Sequence, residues 1–307
     1  MDHPRSASPV VNDLLLLSTA AIWGFAFVAQ RVGMESVGPF LFNGIRFALG
    51  AVTLLPFAVR RRRKSHVPTT GSRVRPTLKY YAIAGSVAGI VLFFGGSLQQ
   101  IGLVYTTAGK AGFITGLYVV LVPIFGTVLG HRAGLIRWLG AGLAVAGLYL
   151  LSVQSSLSIA TGDIWVVGSA VFFAIHVIVL GQVAPKVDSM ILALVQYVIV
   201  SVASVVVALF LESNTATGVA AAAPAIIYGG CFSVGVAYTL QILALRHAHP
   251  AHASIILSLE GVFAAVGGWL LLGETLSPRA LIGCLLMLTG MITSQYASFS
   301  RSRAKVG

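Results

Sequence analysis

The chain has 307 residues, of which 57% are hydrophobic and only 9% are charged. With a mean hydropathy of +0.92 it lacks the polar surface of a soluble domain, so a water-soluble globular fold is excluded. The net charge of +12 would by itself fit a nucleic-acid partner. The positions of the basic residues instead indicate a membrane topology signal.

Ten apolar stretches follow one another along the chain. Each has about twenty residues, the length that a helix rising about 1.5 Å per residue needs to cross a hydrocarbon core of about 30 Å. The sequence therefore predicts an all-α integral membrane protein with ten transmembrane helices in a single membrane domain, residues 1–307. The predicted spans are 14–33, 38–59, 80–104, 108–129, 136–153, 164–183, 189–211, 223–245, 252–272 and 277–296.

Residues 13–153 and 163–296 repeat one five-span unit. At an offset of 150 residues, Asp13 aligns with Asp163. At offsets of 142 and 143 residues, identical residues meet in the second part of each copy. Because five spans are an odd number, the two copies must cross the bilayer in opposite directions, which predicts inverted repeats. The identical pairs are Leu98 and Leu240, Gln99 and Gln241, Leu103 and Leu245, Ala111 and Ala253, Ile114 and Ile256, Gly130 and Gly273, Gly140 and Gly283, and Gly147 and Gly290.

The basic residues lie at one side of this predicted topology. Sixteen of the 20 Lys and Arg residues lie in the two termini or in the loops on the same side of the membrane as the termini. The other four are Arg31, Lys110 and Arg279 on the opposite side and Arg46 within a span. Such a bias places both termini in the cytoplasm. The run from Arg60 to Lys64 then anchors the topology and contacts anionic membrane lipids.

Two ionisable residues are predicted deep inside spans. Arg46 lies eight residues from the outer end of the second span, and Glu260 eight residues from the inner end of the ninth, so both fall near the midplane. A charge there costs about 2.5 to 3.5 kcal/mol on insertion scales, which makes each a functional candidate. Arg suits a carboxylate and Glu an ammonium, so together they match an amino-acid zwitterion. Two alternatives remain: a structural ion pair between them, and a proton-carrying role for Glu260.

Other polar and aromatic side chains at mid-span are predicted to line the same cavity. Pro123 interrupts the fourth span and is predicted to be a hinge or a kink. His176 is either a ligand or a hydrogen-bonding group between helices. The predicted cavity residues are Trp23, Gln99, Tyr118, His176, Tyr238 and Gln241.

Neither a metal nor a cofactor is expected. Cys231 and Cys284 lie inside apolar spans and form no CxxC motif. The group His247, His249 and His252 has imidazoles for zinc or copper, but Pro250 breaks a helix there and no acid or Cys lies nearby, so a helix-capping role is favoured. No nucleotide-binding segment for ATP is present.

The same segments carry a family resemblance. Residues 98–114 (LQQIGLVYTTAGKAGFI), 257–263 (LSLEGVF), 272–275 (LGET) and 283–290 are similar to the EamA family of the drug/metabolite transporter superfamily. Two positions depart from it: Gly261 stands where many members have Pro, and His131 stands in the first copy where Glu274 stands in the second.

This resemblance implies a bacterial inner-membrane exporter of small metabolites, similar to the aromatic amino-acid exporters. The leading hypothesis is thus a secondary transporter of amino acids that works by alternating access, with proton coupling left open. Other metabolites or drugs are alternative substrates. A membrane-embedded lipid-modifying enzyme is the alternative from another class, but the sequence has no HExxH, GxSxG or clustered carboxylates for such chemistry.

The predicted topology is testable by cysteine labelling in intact cells. A Thr70→Cys variant is expected to stay protected from a membrane-impermeant thiol reagent, because the 60–79 loop faces the cytoplasm. A Ser36→Cys variant, between the first two spans, is the labelled control. Ready labelling of position 70 and protection of position 36 would reverse the orientation.

Overall fold

The computed structural model describes residues 9–64, 77–128, 134–152, 160–183, 186–245 and 256–303. In these ranges the chain is helical and contains no strand. The helices are α1 Pro9–Gly33, α2 Pro39–Lys64, α3 Leu78–Tyr105, α4 Ala108–Gly116, α5 Tyr118–Val128, α6 Leu135–Ser152, α7 Thr161–Val183, α8 Ser189–Leu211, α9 Ala216–Ile227, a π-helix Tyr228–Ala237 that leads into α10 Tyr238–Leu245, α11 Glu260–Leu272 and α12 Pro278–Arg303.

Seven helices in the described ranges are long and apolar enough to cross a membrane. Three shorter apolar helices, Trp138–Ser152, Glu260–Leu272 and Pro278–Ser294, lie within the fifth, ninth and tenth predicted spans, and the second of them begins eight residues later than predicted. Large apolar side chains face outward, with Leu209 and Phe210 exposed by 77% and 83%. In a bilayer this surface contacts lipid, so the chain is a multi-pass membrane protein.

The fourth predicted span is divided at Leu117, which separates α4 from α5. Pro123 lies inside α5, which continues through it to Val128. The division therefore falls six residues earlier than the sequence predicted from Pro123. The short helix α4, before this division, is almost wholly buried. Its small residues Ala108, Ala111 and Gly112 let neighbouring helices pack closely around it.

Packing between the two repeats follows a reciprocal pattern. α6 packs on α12, α2 on α8 and α4 on α11, while α1 packs on α9, the π-helix and α10 as α3 packs on α7. The first three contacts each join a helix of the first copy to the equivalent helix of the second copy. The last two correspond to each other: the first span contacts the eighth, and the third span contacts the sixth.

Glycines set the closest of these contacts, between α6 and α12. A Cβ on Gly140 would lie 2.7 Å from the carbonyl oxygen of Gly290, and a Cβ on Gly147 would lie 2.6 Å from the amide nitrogen of Met287 and close to the carbonyl of Gly283. Residue numbers rise along α6 as they fall along α12, so the two helices are antiparallel. Without Cβ atoms the backbones approach closely enough for dispersion contacts along their length.

Acidic side chains join the two repeats at one end of the bundle. Glu212, which follows α8, accepts hydrogen bonds from the amides of Phe40 and Leu41 at 2.7 and 2.9 Å. Glu274, which follows α11, accepts bonds from the amides of Ala108 and Gly109 at 2.8 and 3.1 Å. Both carboxylates thereby accept hydrogen bonds from amides in the first turn of a helix, which have no partner within that helix. Negative charge is also favoured at this end of a helix.

A buried ion pair lies at the same end. Asp163, at the start of α7, contacts Lys110 Nζ at 2.5 Å and accepts a hydrogen bond from the Thr106 hydroxyl at 2.6 Å. Gly162 lets this turn approach α3, since a Cβ there would lie 2.7 Å from the carbonyl oxygen of Gly102. The pair joins the first repeat to the second.

The close contact of α6 with α12 predicts that one added methyl group in α6 lowers the stability of the protein. Gly147→Ala is expected to lower the free energy of unfolding by about 1 to 3 kcal/mol, because its Cβ meets backbone that has no room to move. Gly142→Ala is the matched control on the same helix, where a Cβ meets nothing within 4 Å. Thermal unfolding in detergent measures both, and equal melting temperatures would contradict the close contact.

Candidate functional site

Arg46 and Glu260 are both buried in the structure. Each is 5% exposed, with Arg46 in α2 and Glu260 at the first residue of α11. Among the residues that the structure describes, the Nε atom of Arg46 and the Oε1 atom of Glu260 have no hydrogen-bond partner. The two side chains form no ion pair within 4.0 Å of each other. The structure therefore gives no support to a direct structural pair between them.

Close helix contacts position Glu260. The chain turns at Ser258 and Leu259, and α11 starts directly afterwards. A Cβ on Gly24 of α1 would lie 2.7 Å from the Glu260 carbonyl oxygen, and a Cβ on Gly261 would lie 3.1 Å from Phe113 Cα. Glu260 thus lies where α1 and α4 meet α11. The helix begins directly before Gly261.

Two aromatic rings flank Arg46. Its guanidinium carbon lies 5.1 Å from the ring centre of Phe47 and 5.9 Å from that of Phe42, within the range of cation–π attraction. On the π-helix, a Cβ on Gly229 would lie 3.4 Å from Arg46 Cδ. The rings and the glycine hold the side chain without using its hydrogen-bonding groups.

An aromatic chain connects the surroundings of the two charges. The ring centres of Trp23 and Tyr238 are 5.1 Å apart, those of Tyr238 and Tyr197 are 5.7 Å apart, and those of Tyr197 and Phe47 are also 5.7 Å apart. The first two contacts are edge-to-face, the arrangement that ring quadrupoles favour.

Tyr238 lies within electrostatic range of both Arg46 and Glu260. Tyr118 lies within range of Glu260 and of Tyr238. The fold thus brings four of the predicted residues, Arg46, Glu260, Tyr118 and Tyr238, to one region, and Trp23 joins it through its ring contact.

The π-helix is a feature that the sequence analysis missed. Trp23 Nε1 donates a hydrogen bond of 3.0 Å to the carbonyl of Ser233, in the middle of the π-helix. Tyr228 OH donates a bond of 3.1 Å to the carbonyl of Ile22. π-Helical segments are rare and frequently mark functional sites. The apolar pattern of this span carried no signal for the change in winding, because only backbone hydrogen bonding distinguishes it from an α-helix.

The remaining predicted residues are buried or half-buried and have other neighbours. His176 bonds to Gln196 at 2.6 Å, and Gln196 precedes Tyr197 of the aromatic chain. Gln99 donates a bond of 3.0 Å to the Thr115 hydroxyl. Gln241 is half-buried in α10, and Pro123 is half-buried in α5. The hydrogen bonds of His176 and Gln99 thus join them to neighbours other than the two charges.

Three side chains near Arg46 were not predicted. Phe42 lies four residues before Arg46, at helical spacing, so its contact was readable from the sequence. Phe47 is the next residue in the chain, a spacing at which helical side chains point apart, so its contact was not. Asn43 lies one turn from Arg46 and is fully buried, with neither polar side-chain atom paired. Its burial depends on the neighbouring helix and left no trace in the local sequence.

Two histidine predictions fall outside the described residues: the group His247, His249 and His252, and His131. In the ranges that the structure does describe, no three His, Cys, Asp or Glu side chains are grouped so that they could hold a metal ion.

Comparison with known proteins decides the family. The model of the EamA-like transporter family matches residues 11–153 and again residues 160–294. The chain belongs to the EamA-like transporter family. An uncharacterized transporter of Archaeoglobus fulgidus is 32% identical over 285 residues, which cover 91% of this chain and 84% of the relative.

Bacterial relatives match over similar lengths. The uncharacterized transporter YoaV of Bacillus subtilis is 26% identical, with 95% of this chain and 98% of YoaV covered. The uncharacterized inner membrane transporter YedA of Escherichia coli is 24% identical, with 85% of this chain and 83% of YedA covered. A solved crystal structure with 17% sequence identity matches with a TM-score of 0.65 over 94% of this chain and 98% of its own, which shows a shared fold.

Because the chain belongs to a transporter family, a substitution of Trp23 tests whether the aromatic chain takes part in substrate selection. Trp23→Phe keeps an aromatic ring beside Tyr238 but removes the hydrogen bond to Ser233, and it is expected to change the relative transport rates of different substrates. The same variant is expected to lose about 1 kcal/mol of stability. Competition between labelled substrates in proteoliposomes measures the preference, with Trp269→Phe, an exposed residue of α11, as control. An unchanged ranking would remove Trp23 from the site.

Proposed function

We propose that this member of the EamA-like family is a secondary carrier that exports amino acids across the bacterial inner membrane. One observation carries the proposal: two buried ionisable residues of opposite sign, Arg46 and Glu260, lie at the two ends of one aromatic chain without pairing with each other. Arg46 lies over Phe47 at one end, and the carbonyl of Glu260 packs on Gly24, next to Trp23, at the other. A zwitterion supplies a carboxylate for Arg46 and an ammonium for Glu260. It thereby compensates both charges, which would otherwise be expensive to keep in a membrane interior.

The carrier is proposed to have ten spans arranged as two inverted repeats, with both termini in the cytoplasm. Support comes from the antiparallel packing of α6 on α12, since these helices hold equivalent places in the two matched segments. Two equivalent helices that run in opposite directions are related by an axis perpendicular to both, as in inverted-repeat transporters.

The proposed mechanism is alternating access by movement of one repeat against the other. Arg46 belongs to the first matched segment and Glu260 to the second. A substrate held by both residues bridges the two halves, so its binding energy depends on their relative position. Rocking of the halves then exposes the same site to one side of the membrane at a time.

Glu260 has two proposed roles that experiment separates. If it binds the substrate ammonium, Glu260→Gln removes the charge that pairs with it, and every form of transport is lost. If it carries a proton, the same variant retains exchange of substrate for substrate and loses only accumulation driven by a pH gradient. We favour the ammonium role, because Arg46 then has its complement in the same ligand.

The proposal predicts loss of exchange in two charge variants. Arg46→Gln and Glu260→Gln are each expected to lower the counterflow rate of a labelled amino acid at least about 100-fold, since removal of one ionic partner of a buried charge costs about 3 to 5 kcal/mol. Counterflow is measured in proteoliposomes with a panel of amino acids, aromatic ones included, and with other metabolites and cationic drugs as the alternatives.

Matched controls neutralise charges elsewhere. Arg279→Gln removes an Arg that lies over Tyr149, away from the site. Glu35→Gln removes an exposed acid in the α1–α2 connection. Both are expected to exchange at wild-type rates. Wild-type counterflow in the two site variants, at matched thermal stability and monodispersity, would leave Arg46 and Glu260 with a structural role. Exchange only of a non-amino-acid metabolite would overturn the substrate class.

A further inference from the structure

A second group of buried polar side chains lies where α1, α2 and α3 meet. All of its members are at most 5% exposed, and none is charged. Each has at least one side-chain atom that no described residue pairs with by a hydrogen bond. These residues, which we call the three-helix group, are Gln30, Asn43, Ser97 and Gln100.

Direct contacts place these residues together. A Cβ on Gly96 of α3 would lie 3.6 Å from Asn43 Nδ2, so Asn43 faces α3. Gln100 lies one turn beyond Gly96 on the same face of α3, and its Nε2 contacts Met34 Sδ of α1 at 3.4 Å. Gln30 lies one turn before Met34 on α1. Asn43 of α2 therefore faces the surface of α3 that carries Gln100, and Gln100 contacts α1 one turn from Gln30.

The group continues the proposed substrate site. Asn43 and Arg46 are three residues apart in α2, a spacing that puts them on one face of the helix with Cβ atoms about 5 to 6 Å apart. In the proposed topology, Asn43 lies on the outer side of Arg46. A ligand whose carboxylate binds Arg46 therefore has this group within reach of its side chain.

The unpaired atoms determine which ligand chemistry fits. Gln30 Oε1 and Gln100 Oε1 are acceptors, Asn43 Nδ2 is a donor, Asn43 Oδ1 is an acceptor, and the Ser97 hydroxyl is either. A buried polar atom without a partner is costly, and a site built from such atoms discriminates strongly against a ligand that cannot pair with them. The absence of charge in the group disfavours an ionic side chain.

We propose that the three-helix group is a subsite that binds a neutral hydroxyl or carboxamide group on the side chain of the transported amino acid. The inference rests on the proposed function and adds the class of side chain. The aromatic chain acts as a wall of the site, because its rings already pack on one another and Trp23 Nε1 is already bonded to Ser233. The hydrogen-bonding capacity of the site therefore lies with the three-helix group.

The test compares amino acids of equal shape that differ in one polar group. Threonine is paired with valine, and glutamine with methionine, in counterflow with purified protein in proteoliposomes. The wild type is expected to prefer the polar member of at least one pair by about tenfold or more, the ratio that one buried hydrogen bond gives. Asn43→Leu and Gln100→Met, which keep side-chain volume, are expected to lower exchange of the polar member about tenfold and to leave the apolar member unchanged.

Ser97→Ala is expected to act in the same direction as these variants. Ser204→Ala is its matched control, because Ser204 is a fully buried hydroxyl on α8 that also lacks a partner in the described part of the chain but lies outside the group. Equal wild-type rates for both members of each pair would overturn the subsite, as would variants that slow polar and apolar substrates equally. In both cases amino-acid exchange itself persists and the carrier function stands. Exchange of no amino acid by folded wild-type protein would overturn the carrier proposal, and the subsite with it.

Discussion

A charged or polar group inside a bilayer has to find a partner within the protein, because hydrocarbon supplies none. At one end of the bundle this requirement is met. Asp163 is paired with Lys110 and bonded to Thr106, and Glu212 and Glu274 each bind two backbone amides at the start of a helix. These carboxylates also fasten the first repeat to the second. The constraint that makes buried charge expensive thereby becomes a means of joining the two halves.

The middle of the bundle differs. Arg46 and Glu260 are as deeply buried as many core residues, yet Arg46 Nε and Glu260 Oε1 are left unpaired by the described part of the chain. Aromatic rings and glycines fix the places of both residues without satisfying their hydrogen-bonding groups. The contrast between the paired end and these unpaired atoms is the physical basis of the proposed substrate site.

Glycine has two uses in this fold. Along α6 and α12 the absence of Cβ atoms lets two antiparallel backbones touch, which provides an extended contact between the repeats. At Gly24 and Gly112 it lets α1 and α4 approach the start of α11. The second use positions Glu260, so packing that stabilises the bundle also sets the geometry of the candidate site.

Much of the architecture was readable from the sequence. Long apolar runs predicted membrane helices, because a span must bury its length in hydrocarbon whatever surrounds it. The offsets between the two copies predicted a repeat, and a scarce charge in an apolar run identified Arg46 and Glu260. Each of these signals is local or periodic, so no knowledge of packing was needed to find it.

Packing decided the rest. The division of the fourth span falls at Leu117 rather than at Pro123, because a helix continues through proline where its neighbours support it. The π-helix at Tyr228–Ala237 and the full burial of Asn43 are likewise set by adjacent helices. The sequence by itself determined a repeated membrane transporter and predicted Arg46 and Glu260 as its candidate site residues. Only the tertiary structure decided which polar atoms remain unpaired, because that depends on contacts between helices far apart in the chain.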